Sequence, residues 1–412
     1  ITGAAWSVSA TFTDIDDDGL PDLYVGNYVD FSIESHKACR DDLSRPSYCS
    51  PTVYPETRDR LYRNVDGGRF EDWSDRLPGP HGAALGVVAT DFDGDGDRDI
   101  FVANDMTDNL LWVNDGSGRF TDNALLAGVA VNADGQLEAS MGVTAADFDG
   151  DCDPDLFMTH LNAQTNTLYV NDGKGWFTDR TNVLGVGAAS FAYTGFGTRW
   201  FDADMDGDLD LFSANGAVTA IEAQRETHPE LPLRQRNQIW ELREGTYVEV
   251  DGGAAFDSVD VSRGAAFGDL DNDGDIDILV TNNNGRARIY ENRSTRQRSW
   301  VGVDLRSGAT NVRDLTVHLD DGSSRCFHRD STSGGSYGSA SDRRLVVTNL
   351  ESPINVSLRL TDGSESSTGP LALNRYQRIA VGSGKPARTQ RIERAHPAGP
   401  ATNRRARPLS AP

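Results

Sequence analysis

The sequence predicts an all-β protein, a β-propeller of metal-binding blades, on three observations. A nine-residue acidic motif occurs five times. Strand-like apolar runs flank each copy in a fixed order. The chain also carries 42 glycines in 412 residues with few long helical patterns, which favours a turn-rich β architecture over a helical bundle.

The motif copies are DIDDDGLPD from Asp14, DFDGDGDRD from Asp91, DFDGDCDPD from Asp147, DADMDGDLD from Asp202 and DLDNDGDID from Asp269, so their starts lie 77, 56, 55 and 67 residues apart. The unit is therefore about 55 residues, with surplus in the first and fourth units. A small apolar run precedes each loop, as in LGVVATDFD, and a strand-like run such as DIFVAND follows it. Next come an aromatic-aliphatic strand, as in LLWVND, and a Gly-turn hairpin ending in Phe, as in DGSGRFTD. Four short antiparallel strands per unit describe a propeller blade, which cannot cover its own apolar faces alone.

Residues 1–295 thus supply five blades. Residues 296–384 lose the acidic loops but keep strand signals (WVGVDLR, DLTVHLDDG, RRLVVTNL, INVSLRLTDG, QRIAVG), a second β module that either is appended as a sandwich or, the favoured expectation, supplies two further blades and closes a seven-bladed ring. Residues 385–412, with five prolines and seven basic residues against Glu393 alone, read as a disordered basic tail.

The spacing D-x-D-x-D-G-x-x-D puts carboxylates at positions 1, 3, 5 and 9, with Gly at 6 for the sharp turn and a backbone carbonyl at 7. Hard oxygen ligands at alternate residues of a tight loop suit calcium, and five copies argue against a single pair of catalytic carboxylates. The expected ligands are Asp14, Asp16, Asp18 and Asp22; Asp91, Asp93, Asp95 and Asp99; Asp147, Asp149, Asp151 and Asp155; Asp202, Asp204, Asp206 and Asp210; and Asp269, Asp271, Asp273 and Asp277. Five divalent ions would bring the formal charge from -24 to -14. The third loop has Cys152 where Gly is expected, a position of backbone strain for any other residue.

The excess of 63 acidic over 39 basic residues excludes nucleic acid as a partner, and no apolar run reaches the roughly 18 residues of a membrane span. Cys39 and Cys49, ten residues apart in a polar stretch, are expected to staple one loop, whereas Cys152 and Cys326 look isolated. The staple, with an Ile rather than a Met at position 1, points to an exported chain.

These motifs, with YVGNYVD before the Cys39 and Cys49 loop, VANDMTDNLLWVNDGSGRF, THLNAQTNTLYVNDG, YTGFGTRWFDADMDGDLDLFSANGAV and RGAAFGDLDNDGDIDILVTNNNG, resemble the FG-GAP or VCBS repeats of integrin-type propellers. More closely they resemble the cartilage acidic protein family with its C-terminal ASPIC/UnbV module, to which SGGSYGSASDRRLVV and LNRYQRIAVG are similar. The resemblance covers residues 6–382. The module's usual Asn-Arg-x-x-Gly opening is replaced by TNVRDLTVHL. The resemblance implies a calcium-bearing propeller, often exported. Its animal members include matrix glycoproteins, and bacterial members occur in enediyne-type gene clusters, associated with cofactor-independent carbon-carbon bond-forming cyclisation. Only Lys37, Lys174 and Lys385 are lysines, an arginine bias that fits a high-GC bacterial genome.

In such blades the loops opposite the acidic motifs include both surplus segments, Tyr28 to Asp59 and Ala217 to Asn237. Long loops on one rim of a rigid ring are where binding and catalysis sit. On that face the first candidates for acid-base catalysis are His160 and Asp105, both at ends of second strands and expected near the channel mouth; Glu138, Glu226 and His228 follow. The expected substrate is a polycyclic, epoxide-bearing small molecule. The alternative is an extracellular calcium-dependent module that binds protein or glycan. No G-x-S-x-G, H-E-x-x-H, G-x-x-x-x-G-K or C-x-x-C motif supports hydrolase, zinc-protease or P-loop chemistry.

Overall fold

Each acidic motif forms the tight loop between the first and second strands of a sheet. A computed structural model describes residues 5–41, 44–222, 226, 232–294, 298–305, 312–319, 323–328, 334–360, 364–382 and 385–391. The first blade is the meander Ser7–Thr13, Asp22–Asn27, Arg60–Asn64 and Phe70–Asp72. Blade 2 is Ala84–Thr90, Asp99–Asn104, Leu110–Asn114 and Phe120–Asp122, and blade 3 is Val143–Ala146, Asp155–Met158, Thr167–Asn171 and Phe177–Asp179. Blade 4 is Gly195–Phe201, Asp210–Asn215, Gln238–Arg243 and Thr246–Glu249. Blade 5 has three described strands, Ser262–Gly268, Asp277–Asn282 and Arg288–Tyr290.

Alternation along each strand sends side chains to both sheet faces, and each face is buried by the next blade. Tyr24 and Leu61 of blade 1 pack on Ala89, Ile100 and Trp112 of blade 2. The other face of blade 2, with Val88, Phe101 and Leu111, meets Leu156 and Tyr169 of blade 3. Phe157 and Leu168 then meet Trp200, Leu211 and Trp240, and Phe201, Phe212 and Ile239 meet Phe267, Ile278 and Tyr290.

The five blades make an arc. Among the described residues no comparable core joins blade 5 to blade 1, and the two end faces stay open. Phe12, paired in register with Leu23 and through it with Tyr62, is 59% exposed. Leu279 and Ile289, register partners in blade 5, are 39% and 64% exposed.

The C-terminal module does not close this ring by adding two blades, contrary to the sequence expectation. It forms two packed four-stranded sheets. One runs Leu345–Leu350, Ser299–Leu305, Arg375–Gly382 and Lys385–Arg391, and the other Ser324–His328, Val312–His318, Asn355–Leu360 and Glu365–Ser367. Val301, Leu315, Val347, Val356, Leu358 and Ile379 share one core between them. Ser299–Leu305 pairs in parallel with Arg375–Gly382, a crossover that a meander blade does not contain. Lys385–Arg391, read from sequence as tail, is an edge strand antiparallel to Arg375–Gly382. Ladder hydrogen bonds are indifferent to side-chain polarity, which is why composition misjudged this stretch. The rest of the expected tail lies outside the described residues.

This sandwich docks on the acidic-loop side of the arc, and residues 334–337 lie along its axis. Gly335 N donates to Val87 O, Ser336 bridges to Val143, and Ser336 Oγ donates to Ala265 O while accepting from Thr198 N. Gly335 and Ser336 together thus tie the inner strands of blades 2 to 5. Gly335 is required here: its φ is +83°, and a Cβ would lie 2.5 Å from Val143 O.

Candidate functional site

The acidic loops crowd their carboxylates closely. In four loops the carboxylate oxygens of Asp14, Asp16 and Asp18; Asp91, Asp93 and Asp99; Asp147, Asp149 and Asp155; and Asp202, Asp204 and Asp206 lie within 4.8 Å of one another. Burial, the largest cause, and neighbouring carboxylates push Asp14 up to about 7, Asp155 to about 9 and Asp210 to about 8. Asp14 Oδ1, Asp16 Oδ1 and Asp275 Oδ1 are buried without a hydrogen-bond partner. Orphaned, converging oxygens of this kind fit a hard divalent cation, which would satisfy them and offset their repulsion. The first loop departs from the others: Arg63 Nε lies 2.5 Å from Asp16 Oδ2 and its Nη2 2.8 Å from Asp18 Oδ2, so a guanidinium already engages two of its carboxylates.

The ninth residue has a role that spacing alone does not show. Asp99 Oδ2 accepts from Phe92 N and its Oδ1 from Asn114 N, both at 2.9 Å. Asp22, Asp155, Asp210 and Asp277 repeat the arrangement, taking one N–H from their own loop and one from the third strand or, for Asp277, from Asn292 just past it. These five carboxylates strap each loop to its blade. Sequence reasoning also passed over the seventh position, where Asp97, Asp153, Asp208 and Asp275 add a further acid to loops 2 to 5. Asp275 is pushed up to about 7 by burial and by Asp273. The signal stood in the motif, but a backbone carbonyl was assigned there.

The sandwich grips the loops at their sixth positions. Gly19, Gly96, Gly207 and Gly274 all have positive φ, and Cys152 keeps the same left-handed turn at φ 74°. A Cβ at Gly207 would run into the Arg325 guanidinium, and one at Gly274 into the Trp300 ring. In loop 3 the Cβ is used: Cys152 is disulfide-bonded to Cys326, so the two cysteines that look isolated in sequence join blade 3 to the sandwich. Cys39 and Cys49 form the second disulfide. Tyr376 Oη donates to Asp269 Oδ2 at 2.8 Å, and Thr348 Oγ1 to Asp202 Oδ2. Replacing the pair as Cys152→Gly with Cys326→Ser is expected to lower stability by about 3–4 kcal/mol. The cross-link closes a 174-residue separation, worth about 5 kcal/mol in the chain-entropy model, while glycine recovers about 1–2 kcal/mol of left-handed strain. Urea unfolding under non-reducing conditions checks this, and an unchanged midpoint would show that docking needs no covalent tie.

On the opposite face the structure separates the acid-base candidates. His160 does not reach the channel mouth; it is 1% exposed, with Nε2 3.1 Å from Ser140 Oγ and 3.6 Å from Glu138 Oε2. Glu138 is buried too and accepts from Thr167 Oγ1 at 3.0 Å. Ser140 and Glu138 approach the same imidazole nitrogen, whereas a relay from carboxylate through histidine to hydroxyl needs both nitrogens. Burial lowers the His160 pKa, with Glu138 opposing, and the trio forms a buried hydrogen-bonded brace. Glu226 is exposed, and His228 lies outside the described residues.

Asp105, by contrast, is only partly buried. Tyr28 Oη donates to its Oδ2 at 2.6 Å, and burial raises the carboxyl's pKa against that bond. Around it Leu85, Met141 and Phe196 form a small cluster with Tyr28, Leu161, Val218 and Tyr337. Tyr337, carried up the channel by the sandwich segment, meets Phe196 edge-on at 4.9 Å, and the Arg263 guanidinium covers the same ring at 4.0 Å. Sequence reading could not place Tyr337 here, since nothing in SGGSYGS says where that loop inserts. Trp6 packs on Tyr28 and Phe31, and Phe31 on His36 and Tyr54, which extends an aromatic rim outward. The two surplus segments meet on this face, Arg45 Nη2 lying 3.1 Å from Glu222 Oε2.

Comparison with known families finds FG-GAP-like repeats over residues 52–102, 91–158 and 147–213. The chain is thus an all-β protein carrying FG-GAP-like repeats in propeller blades. No curated protein matches it. Among solved structures it is similar to a lectin from Agrocybe aegerita that recognises non-reducing terminal N-acetylglucosamine (16% identity, 78% of this chain, 85% of that chain, TM-score 0.31). A rhamnogalacturonan lyase from Bacillus licheniformis is 13% identical over 89% of this chain and 71% of that one, with a TM-score of 0.34. The Dos1 propeller is 8% identical over 90% and 92%, with a TM-score of 0.31.

Proposed function

We propose that the chain is a calcium-stabilised, exported enzyme of the bacterial branch of the cartilage acidic protein family, its C-terminal sandwich being the ASPIC/UnbV-like module. Its reaction is a redox-neutral cyclisation of a polycyclic, epoxide-bearing substrate of the enediyne type. Calcium in the five loops supplies rigidity and charge balance, away from the chemistry. The two disulfides favour an oxidising compartment.

The observation that carries the reading is the Asp105 carboxyl, raised by burial, held by Tyr28 and set against the apolar and aromatic wall of Phe196, Leu161 and Tyr337. Tyr28 occupies Oδ2, which leaves Oδ1 to carry the acid proton. That proton passes to the epoxide oxygen as its C–O bond breaks, a nucleophilic carbon of the same substrate closes the C–C bond, and a C–H proton leaves to restore neutrality. No electron acceptor enters this balance. The aromatic faces stabilise the cationic carbon formed during opening.

Asp105→Asn is expected to reduce turnover of a polycyclic epoxide about 100-fold or more, with calcium content and melting temperature within error of the parent. Full activity in that variant would remove Asp105 from the chemistry. The second reading, a calcium-dependent binding module, draws on the outer rim, where Trp6, Ile33 and Tyr48 are 47%, 90% and 75% exposed. Capture of a protein or glycan that is lost in Tyr48→Ala but kept in Asp105→Asn would favour it.

A further inference from the structure

The five acidic loops are not equivalent in their surroundings. Each contains five aspartates, so the loops differ in what opposes that charge. In blade 1 the opposing group is Arg63 of the third strand, Arg60–Asn64, whose guanidinium holds Asp16 Oδ2 through Nε at 2.5 Å and Asp18 Oδ2 through Nη2 at 2.8 Å. Both carboxylates are expected metal ligands, at the third and fifth positions of the motif. The guanidinium also lies 5.0 Å from the centre of the Trp73 ring, with Arg76 over the same ring at 3.5 Å. The Arg63 side chain is 27% exposed, so water screens its two charge-assisted bonds only in part.

No other blade places a cation at this position of the sequence. Asn64, which follows Arg63, donates its N–H to the ninth aspartate, and its counterparts in blades 2 to 5 are Asn114, Asn171, Leu242 and Asn292. The residues before these are Val113, Val170, Glu241 and Glu291. Valine carries no charge, and the two glutamates are paired with Arg243 and Arg293. Loop 1 also stands apart from the sandwich. The sixth positions of loops 3, 4 and 5 meet Cys326, Arg325 and Trp300, whereas among the described residues nothing lies within 4 Å of where a Cβ would sit at Gly19. Blade 1 is one end of the arc, packed against blade 2 alone in its core. A loop without the sandwich's grip, on an end blade, gains most from a positive charge supplied by its own blade.

We propose that Arg63 is the resident counter-ion of loop 1 and makes this loop the weakest of the five calcium sites, filled last because calcium must compete with the guanidinium for Asp16 and Asp18. The proposal rests on the calcium reading of the loops. Loop 1 then stays assembled when calcium is scarce and responds to calcium over a higher range than loops 2 to 5.

The test is a calcium titration of the full chain against a chromophoric chelator, read as ions bound per chain. The parent is expected to bind four ions in one affinity range and a fifth at least about tenfold more weakly, the factor that one lost charge-assisted hydrogen bond supplies. Arg63→Met, which keeps the stem and removes the charge, should move the fifth ion into the tighter class. In EDTA this variant should melt below the parent, and saturating calcium should close the gap. Five ions of equal affinity in the parent, a titration unaltered by Arg63→Met, or a melting deficit of the same size with and without calcium would each overturn the proposal while leaving calcium in the loops. Binding of no calcium at all would overturn the calcium reading together with it. If Arg63→Met fails to fold, the parent titration decides by itself.

Discussion

Chelation by EDTA is expected to lower the melting temperature by at least about 15 °C, with recovery on adding calcium but not sodium. A ligand at about 100 times its dissociation constant stabilises a folded protein by about 2.7 kcal/mol per site, and five loops multiply the effect. Without the cation each loop must hold converging carboxylates together, some with no other partner for a buried oxygen. The pH dependence has a definite sign. Asp14, Asp155 and Asp210 have folded pKa values of about 7, 9 and 8, above the ordinary 3.8. Their ionisation therefore opposes folding of the cation-free protein, which loses stability as pH rises from about 4 through those values. EDTA-treated protein should melt higher at pH 5.5 than at pH 8, and calcium should help most at pH 8. A melting temperature indifferent to EDTA would remove the metal assignment, and equal apo stability at the two pH values would remove the carboxylate explanation.

The ninth-position aspartates are expected to be the most damaging single sites in the ring. Asp99→Ala removes the acceptor for Phe92 N and Asn114 N in a position with no solvent access, and two buried donors left unsatisfied cost about 1–3 kcal/mol each. The loss should be about 3–5 kcal/mol and should persist at saturating calcium. Asp95→Ala, in the same loop but exposed, should cost far less once calcium is abundant, because besides a candidate ligand it surrenders only an exposed bond from Asp97 N, which water can replace. Urea unfolding of both variants with excess calcium decides the point. Equal destabilisation would mean that Asp99 acts through the cation alone and that the strap to the third strand is incidental.

The same physics explains what was legible in the sequence. A blade is a local object: its strands are separated by short turns, its apolar residues alternate, and its loop chemistry fits in nine consecutive residues. Pattern and spacing therefore sufficed for the acidic loops, the blade order and the two surplus segments, down to the left-handed turn that Cys152 must adopt. His160 lies two residues past the strand Asp155–Met158, and its burial depends on what the neighbouring strands and helix lay over it, about which periodicity carries no information.

By itself the sequence determined the repeated unit, because local hydrogen bonding, β alternation and turn chemistry act within a few residues. Only the tertiary structure decided how the units meet the rest of the chain. Cys152 finds Cys326 across 174 residues, Ser336 enters the axis of the arc, and Arg199 comes to lie beside Asp342. Those partners are chosen by how two separately cored bodies dock. Docking depends on shape and on charge brought together from distant parts of the chain, and no local pattern records it.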